Sequence, residues 1–253
     1  MNQKERLAEV LKILENRKKI SQEELMEIFS ISRDTARRDI LKLVESSLVE
    51  RYPGGISRPL LKKQIETYSN RLIKKAKEKQ VIADAATELL GQKMTIYLDV
   101  STTVNFLASE LVQKELVIVT NSMDNAVSAS KNEDSQVYLL GGFFKSKSRV
   151  LHGEPVLYQI KNFNFDIAFI GGAGISEEGI FYSELTDIYL KEEIIKNAQK
   201  VCLLIDSSKV NNKTAYKIDL SRVDVIVTDK PFSKEIHQTI NLKNIEVRLA
   251  KGK

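Results

Sequence analysis

One cysteine and two histidines are all that a chain of 253 residues offers for disulfide or soft-metal chemistry. The lone Cys202 excludes an intramolecular disulfide framework and suits a reducing compartment. It sits in the apolar run VCLLID, so a buried core thiol is expected rather than a nucleophile. So small a set of ligands also argues against a structural zinc site. No apolar run reaches the ~18 residues of a membrane span. The opening stretch, MNQKERLAEVLKILENRKK, is charged and amphipathic and lacks the apolar core of a secretory signal. These absences lead us to expect a cytoplasmic protein with no membrane partner, no metal and no cofactor. What is present is apolar enough, at 42%, for a sizeable core.

The net charge of +5 is unevenly placed. Residues 1–80 hold 19 Lys and Arg against 12 Asp and Glu, whereas the remainder holds 20 against 22. The basic excess belongs to the N-terminal third, where it can attract a phosphate backbone. Solvated basic helices are common, so the charge needs a geometry. Leu7, Val10, Leu11 and Leu14 recur at helical spacing. Ser21 with Glu24 forms a capping box, which predicts a second helix through Leu25, Ile28 and Phe29. After Ser30-Ile31-Ser32, Ser32 can cap a third helix, RDTARRDILKLVES, whose buried stripe is Ala36, Ile40, Leu43 and Val44. Asp34, Thr35, Arg37 and Arg38 fall outside that stripe, crowded into the first turn and a half. Recognition helices dock in this way, with N-terminal side chains on base edges and the apolar face on the preceding helix. Arginine suits the task because its fork bonds guanine O6 and N7 together. LVERYPGGISRP then reads as a hairpin, Leu48 to Tyr52 and Ile56 onward around Pro53-Gly54-Gly55, forming a wing with Arg51 and Arg58 near phosphates.

The run SQEELMEIFSISRDTARRDILKLVESSLVERYPGG resembles the N-terminal domain of the DeoR family of bacterial repressors. Thr35, Arg37, Arg38, Asp39, Gly54 and Gly55 match that family's T-x-R-R-D pattern and Gly-Gly wing, while Pro53 stands where a basic residue is usual. The resemblance implies double-stranded operator DNA as a partner, contacted through Ser32, Arg33, Thr35, Arg37, Arg38, Arg51, Gly54 and Gly55.

Beyond the wing the chain is polar and Lys-rich, and we expect a connecting helix that runs into VIADAATELL and ends at Gly91. The expected division is residues 1–58 as a winged helix-turn-helix domain, 59–80 as a linker helix and 81–253 as an α/β domain around a mainly parallel sheet. The strands are MTIYLD, LVIVT, QVYLL, DIAFIG, VCLLID, VDVIVTD and IEVRL, with amphipathic segments between most of them. Open sheets of this kind bind ligands outside the carboxyl ends of their strands. There the chain places Asp99, Ser101, Thr102 and Thr103, then a helix from about Val104; Asn121 and Ser122; Gly141 and Gly142; Gly171, Gly172, Ala173 and Gly174; and Asp206, Ser207, Ser208 and Lys209. Gly and Ser simply make turns in any one loop. Their recurrence after five strands points to a polar pocket, and hydroxyls at a helix N-terminus suit an anion.

DVSTT, TNS, a Gly-Gly pair, FDIAFIG and DSSK follow one another as in the DeoR sensor domain, with Ser101 where that family usually has glycine. The resemblance implies a fold like ribose-5-phosphate isomerase and a phosphorylated sugar as effector. The implied effector residues are Asp99, Ser101, Thr102, Thr103, Asn121, Ser122, Gly141, Gly142, Gly171, Gly172, Gly174, Glu184, Asp206 and Lys209, with Arg149 as a further candidate over the phosphate. The rival reading is a sugar-phosphate isomerase with a DNA-binding appendage, its acid-base groups supplied by Asp99, Glu184, Asp206 and Lys209. Carboxylates receive sugar hydroxyls equally well, and fold kinship does not transfer activity, so we expect no catalysis. A single recognition unit reads too short a site, so a homodimer or homotetramer is expected.

Overall fold

The computed structural model describes residues 3–17, 19–45, 49–57, 68–111 and 114–251. It divides into two compact units, residues 1–65 and 66–253. The smaller unit comprises helix α1 (Gln3–Asn16), strand β1 (Lys19–Ser21), helices α2 (Gln22–Phe29) and α3 (Arg33–Glu45), and strands β2 (Glu50–Tyr52) and β3 (Gly55–Ser57). Val10, Leu14, Leu25, Ala36, Ile40 and Leu43 meet Ile20 and Ile56 in one core. The expected capping box is formed: Glu24 N donates to Ser21 Oγ at 3.0 Å, and Ser21 N donates to Glu24 Oε2 at 2.7 Å. The antiparallel sheet has three strands in the order β1-β3-β2, one more than the expected hairpin, and β2 is seen from Glu50. Leu48 and Arg58 lie outside the described residues.

The larger unit begins with α4 (Tyr68–Ile73) and α5 (Ala76–Thr87). The single connecting helix expected from the sequence is therefore broken, with Lys75 in the left-handed region at φ 58°. The reason is a buried cation. Lys79 reaches back and donates to the carbonyl oxygens of Arg71 and, at 2.7 Å, Lys74. A lysine on the last carbonyls of α4 satisfies groups that a continuous helix would have bonded internally.

There follow β4 (Thr95–Leu98), α6 (Thr102–Ser109), β5 (Val117–Thr120), α7 (Met123–Ala129), β6 (Gln136–Leu139), β7 (Phe143–Lys145), β8 (Val150–His152), α8 (Glu154–Ile160), β9 (Ile167–Ile170), β10 (Gly174–Ser176), β11 (Gly179–Tyr182), α9 (Leu185–Lys196), β12 (Val201–Leu204), β13 (Tyr216–Ile218), β14 (Val225–Thr228), α10 (Lys234–Leu242) and β15 (Glu246–Leu249). Helix α6 thus starts at Thr102, two residues before the position expected from the sequence. The seven predicted strands form one sheet in the order β15-β14-β12-β9-β4-β5-β6, and every pairing is parallel.

Alternation across the pleat sorts the core. Ile96, Leu98, Ile118, Phe169 and Leu204 face α5 and α6, while Tyr97, Val119, Ala168, Ile170 and Leu203 pack with residues of α8, α9 and α10. The result is a three-layer α/β/α sandwich. Cys202 lies fully buried in the first of these layers, and burial pushes its thiol well above the ordinary range.

The order also fixes where the strands change direction of travel. From β4 the chain moves outward through β5 and β6, then returns to place β9 on the other side of β4. The loops after β4 and β9 therefore flank the topological switch point, where open α/β sheets form their ligand crevice.

Candidate functional site

In the smaller unit the third helix presents its predicted face. Arg33, Asp34, Arg37 and Arg38 are exposed, Thr35 is half-buried, and Ala36 and Ile40 are buried. Ser32 caps the helix, with Thr35 N donating to Ser32 Oγ at 3.3 Å and the two hydroxyls 2.9 Å apart. Arg33, Arg37 and Arg38 form no ion pair among the described residues. Three guanidinium groups thus stand together in water at the N-terminal end of α3, in the arrangement that phosphate and base contacts require.

Asp39, on the same helix, is used differently. It is buried and accepts from Arg6 Nε of α1 at 2.6 Å and from Gln3 Nε2 at 2.9 Å, fastening α1 to α3.

In the wing, Gly54 has φ 100°, which an L side chain resists, and its carbonyl accepts from Gln22 N at 2.9 Å. Gly55 is buried, and a Cβ there would lie 2.2 Å from Ile20 O. Gly55 therefore serves close strand approach within the wing. Arg51 is exposed on β2.

In the larger unit all the predicted loops lie at one edge of the sheet, because β6, β5, β4, β9 and β12 are adjacent and parallel. Most of their polar side chains hold the loops to one another. Asp99 accepts from Gly171 N at 2.9 Å, which ties the β4 loop to the β9 loop, and from Lys191 Nζ of α9 at 2.7 Å. Both charged side chains of this pair are almost fully buried. Asn121 accepts from Tyr97 OH at 2.7 Å and donates to Leu151 O at 2.9 Å, fixing strand β8 against the end of β5. Ser122 caps α7. Gln159 bonds both the amide and the carbonyl of Gly141, at 3.0 and 2.9 Å. A Cβ at Gly142 would lie 2.6 Å from His152 O, and one at Gly174 would lie 1.7 Å from Asn212 O. Asp206 accepts from Ser208 N at 3.0 Å and caps the short 3-10 turn that carries the half-buried Lys209. Glu184 sits 2.5 Å from Lys145 Nζ. Arg149 does not hang free over the loops: its Nε donates to both carboxylate oxygens of Asp124, at 2.7 and 2.8 Å.

Fewer groups remain open toward the crevice. Thr102 and Thr103 form the buried first turn of α6, whose leading amides have no intrahelical acceptor. Ser101, half-exposed, precedes them and makes no side-chain cap bond. Its φ of −142° is ordinary extended backbone, so the serine costs no strain. Room for it comes from Gly171, where a Cβ would lie 2.4 Å from Ser101 Cβ.

Sequence reasoning missed Lys191, Asp187, Tyr182 and Asn125. Asn125 Nδ2 donates to Asp99 O at 2.8 Å and steadies the β4 loop. Asp187 lies on α9 one turn before Lys191, and its carboxyl is held above the usual range chiefly by burial, against the opposing pull of Lys191. One signal was available. Lys191 falls three residues after Ile188 and three before Ile194, on the apolar stripe of α9, where a lysine must be paired.

A winged helix in one unit, and polar loops at the switch point of a parallel sheet in the other, define a regulator that carries its own sensor. The DeoR-like helix-turn-helix domain matches residues 6–59, and the DeoR C terminal sensor domain matches residues 74–230. The chain belongs to the DeoR family of transcriptional regulators. It is 35% identical to the HTH-type transcriptional repressor GlcR of Bacillus subtilis, across 91% of this chain and 90% of that protein. It is 30% identical to the glycerol-3-phosphate regulon repressor of Escherichia coli, across 98% of this chain and all of that one. Among solved structures, ribose 5-phosphate isomerase A of Methanocaldococcus jannaschii is similar over 52% of this chain and 53% of its own, with 19% identity and a TM-score of 0.38. Among the described residues no helix is long and apolar enough to cross a membrane.

Proposed function

We propose that the protein is a repressor that binds operator DNA through α3 and the wing and is released by a phosphorylated sugar bound in the sensor unit. The observation that carries the reading is the unpaired set Arg33, Arg37 and Arg38 at the exposed N-terminal end of a capped third helix. Ser32, Thr35, Arg51 and the backbone of Gly54 complete the DNA-facing set, and the buried Gly55 shapes the wing. The effector's phosphate lies at the first turn of α6, over Ser101, Thr102 and Thr103, where free amides and the helix dipole favour an anion. Lys209 adds a cation. Asp99, Asn121, Ser122, Gly141, Gly142, Gly171, Gly172, Gly174, Glu184 and Asp206 hold or line the loops around it. Relatives named as the glycerol-3-phosphate regulon repressor and, in Streptococcus mutans, the lactose phosphotransferase system repressor support an effector from sugar metabolism.

The protein acts in the cytoplasm, as at least a homodimer, since one recognition helix reads too few base pairs for genomic specificity. It does not turn its ligand over, because Asp99 is already committed to Lys191 and the Gly171 amide.

The test is fluorescence anisotropy of full-length protein on a duplex selected from a random pool, titrated with pentose and hexose phosphates. The expected result is tight, salt-dependent binding that at least one sugar phosphate weakens. Linkage requires the ligand to prefer the DNA-incompetent state. Binding that no phosphate weakens refutes induction, and tightening makes the sugar a co-repressor. Lys209→Ala should hold DNA normally and resist release.

A further inference from the structure

Two phenols lie buried beneath the carboxyl edge of the sheet, and they differ in one respect. Tyr97 on β4 and Tyr182 on β11 both feel the carboxylates of Asp99 and Asp187, and burial together with those charges holds both hydroxyls in the neutral, hydrogen-donating form. Tyr97 OH donates to Asn121 Oδ1 at 2.7 Å. Tyr182 is only 5% exposed, and its hydroxyl has no hydrogen-bond partner among the described residues. A buried hydroxyl without a partner weakens a fold, and each instance in a native structure calls for a reason.

The surroundings supply one. Lys191 Nζ lies 5.5 Å from the Tyr182 ring centroid and is pinned to Asp99. Asp187 stands one helical turn before Lys191. With Glu184 and Lys145 also acting on Asp187, this corner holds three carboxylates against two cations, a balance that disfavours a phosphate. A neutral, hydroxyl-bearing carbon chain suits it: an oxygen can accept from Tyr182, and the hydroxyl hydrogens can be donated to Asp187 or Asp99.

We propose that Tyr182 is the specificity-determining residue of the sensor, its hydroxyl donating to an oxygen on the uncharged end of the phosphorylated effector while the phosphate lies at α6. The proposal rests on the reading that the sensor binds a sugar phosphate, and it adds the ligand's orientation and the residue that reads it. It also assigns the orphaned hydroxyl a cost in the free protein that ligand binding recovers.

The experiment is calorimetric titration of full-length wild type and Tyr182→Phe with glucose 6-phosphate, fructose 6-phosphate, ribose 5-phosphate, glycerol 3-phosphate and inorganic phosphate. Phenylalanine keeps the ring and its contact with Lys191. For whichever sugar phosphate binds wild type, the variant should bind it ~10-fold or more weakly, the worth of one desolvated hydrogen bond. Affinity for inorganic phosphate should stay within about twofold, since the phosphate end is untouched. Without ligand the variant should melt no lower than wild type, because the atom removed had no partner. Equal sugar-phosphate binding by both proteins overturns the proposal and leaves the effector reading standing. A lower melting temperature for the free variant also overturns it, since the hydroxyl would then have a partner in the unliganded fold. Failure of wild type to bind any of the sugar phosphates overturns the effector reading itself.

Discussion

Asp39 should be essential to DNA binding without touching DNA. It is 2% exposed and shares a 2.6 Å hydrogen bond with Arg6 Nε, a residue 8% exposed on α1. Replacing Asp39 with alanine removes the buried carboxylate that both Nε and Nη2 of Arg6 bond. Breaking one side of a buried pair costs ~3–5 kcal/mol, and in so small a unit the effective dielectric stays high enough to favour the lower end. A unit of this size, residues 1–65, holds only ~3–10 kcal/mol at typical stability per residue. A loss of about 3 kcal/mol multiplies opening of α3 by roughly 150-fold and leaves little folded margin. The assay is native-state hydrogen exchange on the full-length protein, following α3 amides, alongside operator binding. Asp39→Ala should speed α3 exchange by that factor and weaken operator binding by the fraction unfolded. The double variant Arg6→Met with Asp39→Leu removes both charges at similar volume and should recover most of the loss, since apolar replacements of buried pairs are often neutral or better. Exchange within threefold of wild type in Asp39→Ala, or a double variant no better than the single, would refute this account of the bridge.

Arg37→Ala and Arg38→Ala should each weaken operator binding. A base-reading arginine should cost ~1–3 kcal/mol at its own base pair, and a phosphate contact should weaken all sequences alike with a shallower salt slope; wild-type affinity in both would remove α3 from the interface. For Asp187, burial holds the folded carboxyl above its ordinary value of 3.8, so the folded state binds the proton more tightly than the unfolded one. Stability from this group therefore falls as pH rises from 3.8 through the raised folded value, and Asp187→Asn should out-melt wild type by a margin that grows with pH over that window; a margin that is flat or shrinks would contradict the burial term. Gly171→Ala puts a Cβ 2.4 Å from Ser101 Cβ and should cost ~1–3 kcal/mol by overpacking, with Ser101→Gly restoring most of the melting temperature. Failure of that rescue would mean the two loops do not share the space.

The sheet was legible because its five inner strands are short runs dense in Val, Ile or Leu, almost wholly buried, with amphipathic segments between most of the strands. The three-residue strands were not. Lys19–Ser21, Gly174–Ser176 and Tyr216–Ile218 are too short to show a period, and the first and last exist because a partner strand approaches from elsewhere in the chain. The break at Lys74 and Lys75 was invisible for a different reason. RLIKKAKEKQ contains no glycine or proline, and every residue in it favours helix. The interruption is held by Lys79 turning inward onto the carbonyls of α4, a tertiary bond that no local pattern records.

At the sensor edge the recurrence of small and hydroxyl residues was legible in the sequence, but the partners they hold were not. Small and hydroxyl residues recur there, yet most are engaged with the protein itself. Gly142 and Gly174 let backbones approach, Asn121 joins β5 to β8, Ser122 and Asp206 cap, and Asp99 holds the β9 loop to α9. This engagement is what a binding site at a switch point needs. A crevice between two loops can recognise a ligand only if both are fixed before it arrives, otherwise ordering them would cost affinity. The Asp99 bridge from Gly171 N to Lys191 supplies that fixation, so Ser101 and the first amides of α6 stand on a loop that is already held in place. The departure from the family pattern belongs to the same arrangement. At φ −142° the chain needs no glycine at position 101, and Gly171 across the crevice admits the serine side chain. A glycine there would leave the backbone amides and the hydroxyls of Thr102 and Thr103 at the start of α6. The serine adds a rotatable hydroxyl, able both to donate and to accept, without asking the loop's backbone for anything a glycine alone could supply.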